Sequence, residues 1–192
     1  MLQRDNTVIL LGILTLVIFG TTGIFLIEKV HEKDFISLLL LGWSIPLQLL
    51  TGVGWGLLSS GIALFIITRI FFIREKLYYR SLISKLDLNN SKIIFISFCA
   101  GVGEEIFFRA AIQPMFGIWL TSLIFVALHG YLNPFNWRIS LYGIVMVFII
   151  AGFGHLFEVA GIITVMTAHV IFDIVLLKFL QEKPFPPTLT KV

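Results

Sequence analysis

Residues 8–27 run for twenty positions without a charged side chain, and that run decides what the chain can become. A helix crossing the hydrocarbon core of a bilayer takes about 20 mainly apolar residues. The remainder of the sequence agrees with such a helix: of 192 residues, 58% are hydrophobic and 13% are charged. An ordinary soluble domain carries about 25% charged residues, so this chain has too little polar surface to cover a water-soluble globule. A soluble protein, a disordered chain and a nucleic-acid binder are excluded, and membrane lipid is the expected surrounding. The formal charge of +3 comes from 14 Lys+Arg against 11 Asp+Glu, a small excess that in a membrane chain reports orientation. The single cysteine, Cys99, cannot form an internal disulfide.

The first apolar run exceeds the ~7 to 15 residues of a signal-peptide core and leads into Glu28-Lys29-Val30-His31-Glu32-Lys33 without a small-residue cleavage site. It is therefore expected to be a retained helix. Residues 35–73 form a longer apolar stretch in which Gly52, Gly54 and Gly56 predict a hairpin between helices at 35–50 and 57–73. Pro46 predicts a kink or a re-entrant segment in the first of these. A polar stretch over 74–92 follows, then apolar segments at 93–112, 118–132, 140–157 and 161–179. The expected fold is an all-α polytopic membrane bundle of about seven helices. Its expected parts are N-terminal helices with a basic loop (1–92), a helical core (93–179) and a loose C-terminal tail (180–192).

Lys and Arg favour cytoplasmic loops, and in this layout they predict an outside N-terminus and a cytoplasmic C-terminus. The small size and bare core point to a bacterial plasma membrane. Trp55 and Trp119 then fall at outer helix ends.

Charges inside spans cost about 2.5 to 3.5 kcal/mol each on insertion scales. Glu104, Glu105, Arg109, His129, His169 and Asp173 all lie inside apolar segments. Left unpaired, six such groups would cost roughly 15 kcal/mol, so they are expected to meet. Glu105 and Arg109 are four apart on one helix face, in the favourable acid-before-base order. Glu104 lies about 100° round the helix and points elsewhere. One carboxylate is thus free to act as a general base while its neighbour is held in an ion pair. His169 and Asp173 share a face in the same way, and Asp173 can orient the ring. Counting about 1.5 Å per residue, Glu104 and His169 lie at similar depth, about 15 Å from the inner ends of their helices. The residues alone equally permit a structural knot of charges between helices. His155 and Glu158 are expected to be an interfacial pair, and residues 28–34 a solvated loop.

The order Glu104-Glu105-x-x-x-Arg109, Phe125-x-x-x-His129, His169-x-x-x-Asp173 on successive apolar helices resembles the CPBP family. That family groups type II CAAX prenyl endopeptidases with bacteriocin-processing and self-immunity (Abi) proteins. The resemblance covers residues 93–179. It implies an intramembrane endopeptidase in which Glu104, aided by His129, activates a water. His169 and Asp173 would stabilise the oxyanion or orient the water, and Glu105 and Arg109 would set the geometry. Family members often have Asn where this chain has Asp173, and an ionised Asp cannot donate to an oxyanion. Asp173 is therefore either protonated or a holder of His169. Ala110 stands where Gly is frequent.

The same residues permit a zinc site, with Glu104, His129 and His169 as ligands and a fourth position for water. The chain has no His-Glu-x-x-His, and the paired glutamates resemble a glutamate-type protease, so no cofactor is expected. The implied substrate is a hydrophobic or lipid-modified peptide, cut in protein maturation or bacteriocin self-immunity. The rival readings are a non-catalytic immunity or scaffold protein, and a small transporter with a carboxylate and histidine relay. Oligomeric state is not legible in the sequence.

Overall fold

The computed structural model describes residues 2–86 and 88–181, which lie in helices and the short links between them. The expected tail at 180–192 therefore begins inside the last helix, and its residues 182–192 lie outside the described ones. The order is α1 (Leu2–Lys29), α2 (Phe35–Leu40), α3 (Ile45–Ile67), α4 (Ile73–Ile83), α5 (Asn90–Glu105), a π-helical stretch (Ile106–Ile112), α6 (Gln113–Leu128), α7 (Trp137–Ala160) and α8 (Ile162–Gln181). Among the described residues, the segments 7–29, 45–67, 90–128, 137–160 and 162–181 are each long and apolar enough to cross a membrane. Leu10, Leu14, Leu57 and Phe65 stand exposed on the outside of the bundle, an apolar surface suited to lipid. The chain is an all-α polytopic membrane protein.

The segment 90–128 does not run straight. As one helix it would hold Glu104 and His129 about 37 Å apart, yet Glu104 Oε2 lies 3.5 Å from His129 Nε2. The reversal falls at Gly117, whose φ of 73° and ψ of 170° interrupt α6 in a conformation only glycine adopts readily. The returning part, residues 118–128, rises only about 16 Å. It ends beside Glu104, and the irregular link 129–136 leads from there to α7. Non-helical backbone inside a bilayer requires a polar or protein-lined surrounding.

The expected hairpin at 51–56 is overturned. α3 runs unbroken from Ile45 to Ile67, with Pro46 in its first turn, where the ring costs no hydrogen bond. The glycines serve contact between helices instead. A Cβ added at Gly52 would lie 2.6 Å from the Thr164 carbonyl oxygen, and one at Gly56 2.6 Å from that of Ala168. Their four-residue spacing lets α3 and α8 touch backbone to backbone. Gly56→Leu should force these helices apart and cost about 1 to 3 kcal/mol. Thermal unfolding in detergent checks this, with the unobstructed Gly54→Leu as control. Trp55 correspondingly sits mid-helix rather than at an outer end, against Gly152 of α7.

The break falls at residues 41–44. Trp43 N–H bonds the Ala160 carbonyl at 3.0 Å. The fully buried Gln48 donates to the Leu41 and Trp43 carbonyls and accepts from Thr164 N–H at the start of α8.

Residues 35–73 thus supply one long crossing, not two, and this corrects the expected topology. Val8 near the start of α1 packs with Leu88, Ile93, Ile174 and Leu177, so the beginning of α1 and the end of α8 lie at the same end of the bundle. Arg69, Arg74, Lys76, Lys85, Arg138 and Lys178 cluster at that end, and Lys29 and Lys33 at the other.

Candidate active site

Asn89 caps α5, its side chain accepting from Lys92 N–H at 2.9 Å, and the helix rises about 21 Å to Glu104. One residue past Glu105 the backbone widens into the π stretch, where Gln113 N–H bonds back to Phe108 O, five residues earlier. Such widened turns recur at functional sites. From the far end of α1, His31 Nε2 donates to the Ala111 carbonyl at 2.8 Å, so this histidine braces the stretch rather than standing in a solvated loop.

Glu105 is fully buried and fully engaged. One oxygen accepts from Arg109 Nε at 3.0 Å, and the other from His169 Nδ1 at 2.7 Å. Arg109 is itself fully buried, so this is an ion pair shielded from solvent, stable only with each partner in place. The histidine of α8 is thus oriented by a carboxylate from α5. His169 Nε2 lies 3.7 Å from Asp173 Oδ2, beyond hydrogen-bond length. Asp173 stands within ion-pair range of the ring, while the hydrogen bond that orients it comes from Glu105.

Glu104 points away from this pair, toward α6. His129 Nδ1 faces the Phe125 carbonyl at 2.8 Å. A carbonyl only accepts, so Nδ1 carries the hydrogen and Nε2 is the atom turned to Glu104. Glu104 Oε2 is buried and makes no hydrogen bond. The Phe125 ring forms the wall between the two histidines, stacked on His129 with centroids 4.3 Å apart and edge-on to His169 at 5.9 Å.

The six ionisable residues singled out in the sequence thus come together in two adjoining sets, Glu104 with His129 and Glu105 with Arg109, His169 and Asp173. Sequence reasoning missed Gln113. It lies four residues beyond Arg109 and continues the same face. Its Oε1 accepts from Arg109 Nη1 at 3.4 Å, and its Nε2 donates to the Gly154 carbonyl and to Glu158 Oε1 at 3.0 Å. Glu158 therefore belongs to this network and not to an interfacial pair with His155.

The zinc alternative requires three converging ligands. Among the described residues no three His, Cys, Asp or Glu side chains are grouped as a metal ion requires.

Beneath His129 the link 129–136 meets a cavity of about 580 Å³ at the basic end of the bundle, lined in part by Gly130, Asn133, Tyr79 and Glu75. The His129 side chain is 38% accessible, whereas that of His169 is nearly closed off.

Residues 88–175 match the family described as type II CAAX prenyl endopeptidase Rce1-like. Over 85 residues the chain is 38% identical to a protein of Bacillus subtilis (strain 168) described as uncharacterized protein YpbD. That alignment takes in 43% of this chain and 42% of the relative, so the chain spans less than half of the relative's length. No solved structure matches the chain significantly. The matched stretch contains Glu104, Glu105, Arg109, His129, His169 and Asp173 together, and it is over residues 88–175 that this integral membrane protein is similar to the Rce1-like family.

Proposed function

We propose that the chain is an intramembrane endopeptidase in which Glu104 activates a water for attack on a peptide bond. The observation that carries this reading is the facing pair, Glu104 Oε2 and His129 Nε2 at 3.5 Å. With Nδ1 committed to the Phe125 carbonyl, both facing atoms are acceptors. A water beside the pair can donate one hydrogen to each. Glu104 then takes a proton, and the hydroxide oxygen forms a bond to the scissile carbonyl carbon as the C=O electrons move onto oxygen. His169, held through Nδ1 by Glu105, presents Nε2 as a donor to that oxyanion. Collapse re-forms the C=O, breaks the C–N bond, and returns the proton from Glu104 to the leaving amine. Asp173 Oδ2 lies 3.7 Å from His169 Nε2, which sets a carboxylate beside the donating nitrogen.

The substrate we assign is a hydrophobic or lipid-modified peptide that reaches the site through the bilayer, its product serving protein maturation or bacteriocin self-immunity. Purified protein in liposomes should cleave such a peptide, and Glu104→Ala should abolish the cut. Full activity in that variant overturns the assignment, and an intact cellular phenotype in Glu104→Gln favours a scaffold instead.

We also propose that the basic end faces the cytoplasm, in line with the Lys and Arg bias, which places both termini inside. Cys99 is buried and is the one cysteine in the sequence. In a Cys99→Ala background, cysteines introduced at either terminus should therefore resist a membrane-impermeant maleimide until the cells are opened. Labelling of either one in intact cells refutes this orientation.

A further inference from the structure

Glu75 is a buried carboxylate that the proposed hydrolysis does not use. It sits in α4, outside the membrane-crossing helices, at 7% exposure, and it lines the cavity of about 580 Å³ at the basic end. Its Oε1 accepts from Asn136 Nδ2 at 3.4 Å, while its Oε2 is buried and has no hydrogen-bond partner. Asn136 is fixed in place because its Oδ1 caps α7, accepting from Arg138 and Ile139 N–H. A buried acceptor left without a donor costs about 1 to 3 kcal/mol, more for a charged group. A polar side chain kept in that state at a cavity wall is suited to a donor arriving from outside.

The chemistry of the wall narrows what arrives. Asn133 Oδ1 is occupied by Phe135 N–H, and Asn136 Oδ1 by the helix cap, so Glu75 is the acceptor left among these three. A hard metal ion takes six or more oxygens and is not served. Arg74 and Arg138 line the same cavity, Arg138 lying over the Phe71 and Trp137 rings. A small free cation is repelled by them. A polypeptide brings both complements at once, a basic side chain for the carboxylate and backbone carbonyls for the arginines. The cavity wall includes Gly130, next to His129. The rings of Tyr79 and Tyr131 lie 6.0 Å apart, and those of Tyr131 and His129 6.5 Å, so the wall is continuous with the site. Burial pushes the Tyr79 phenol above its ordinary range, and its hydroxyl stays protonated.

We infer that this cavity is a specificity subsite that receives the water-exposed flank of the substrate, with a Lys or Arg side chain of that flank bonded to Glu75. The inference rests on the endopeptidase reading for its substrate, but its binding step does not require hydrolysis. It is tested with two fluorescent apolar peptides of about 20 residues, one flanked by Lys-Lys-Lys and one by Gln-Gln-Gln, on full-length protein in nanodiscs. Binding and cleavage are followed in parallel. A hydrogen bond between charged groups is worth about 1.5 to 3 kcal/mol, so the Lys-flanked peptide should bind about tenfold more tightly or better. Glu75→Gln should bring the ratio of the two affinities close to one, and Glu75→Lys should shift preference to a Glu-flanked peptide. A ratio near one in the unaltered protein overturns the proposal without any variant, as does a ratio that survives Glu75→Gln. A photo-crosslinking residue at Tyr78, an exposed position on the same wall, gives an answer with Glu75 intact. It should capture the Lys-flanked peptide selectively, and equal capture of both refutes the subsite. Selective binding without any cleavage keeps the subsite and removes the endopeptidase reading. Cleavage of both peptides with equal affinity does the reverse.

Discussion

Glu104→Gln should lower the rate of peptide cleavage by about 10² to 10⁴-fold, the usual worth of a positioned general base, while leaving the thermal unfolding midpoint nearly unchanged. The amide keeps the shape of the carboxylate and cannot take a proton from water. Structurally the change is mild because Glu104 Oε2 has no hydrogen-bond partner to lose. The effect should appear in kcat with KM little altered, because the carboxylate acts on the water and not on the bound peptide. Single-turnover cleavage by reconstituted protein, set beside an unfolding curve of the same preparation, checks both halves. A variant that unfolds early and also loses activity would instead mark Glu104 as a structural member of the polar cluster.

Arg109→Met is expected to act on the fold first. It removes the cation from a fully buried carboxylate, and breaking a buried pair in this way costs about 3 to 5 kcal/mol. The ion pair with Glu105 and the bond to Gln113 are lost together, so the two sides of the bundle that they join lose their link. The double variant Glu105→Gln with Arg109→Met should be less destabilised than the two single changes added, by about 0.5 to 3 kcal/mol, because no lone charge is left behind. Unfolding midpoints of the four proteins in one detergent give the coupling energy directly. Strict additivity would show that Glu105 and Arg109 do not act as a unit.

The two predictions separate neighbours in sequence, and that separation was legible from helix geometry alone. Glu105 and Arg109 share a face within one continuous segment, and Glu104 is turned from them by one residue's rotation. What the sequence could not show was the partner across space. The four-residue spacing of His169 and Asp173 pointed to a local bond, but the nearer acceptor is Glu105 on another helix. Local spacing says which groups could meet, and only the packing of α5 on α8 decides which do. Gln113 repeats the same interval after Arg109, so a signal existed, although an uncharged amide does not stand out as a costly group in lipid.

The glycines were misread for a related reason. At Gly52 and Gly56 the absence of a side chain admits a neighbouring helix, whereas at Gly117 it permits a left-handed turn, and composition does not distinguish these uses. The stronger signal lay earlier, where Ser44 and Pro46 are the residues that begin a helix and the structure begins α3 there. With that start recognised, residues 45–67 suffice for one crossing, and the beginning of α1 and the end of α8 fall at one end of the bundle.

The π-helical stretch makes the register of this protein adjustable in a way an ordinary helix is not. A widened turn holds about one residue more than α geometry needs. Deleting a single residue between 106 and 112 would let the backbone close into a regular α-helix without breaking it. The six residues left would turn through nearly the same angle as the widened seven, so Gln113 would stay on the side of Glu158. A deletion within the regular α5 has no such slack and would turn the helix before it by about 100°. The widened stretch is therefore a place where the chain can lose a residue and keep its polar groups in phase.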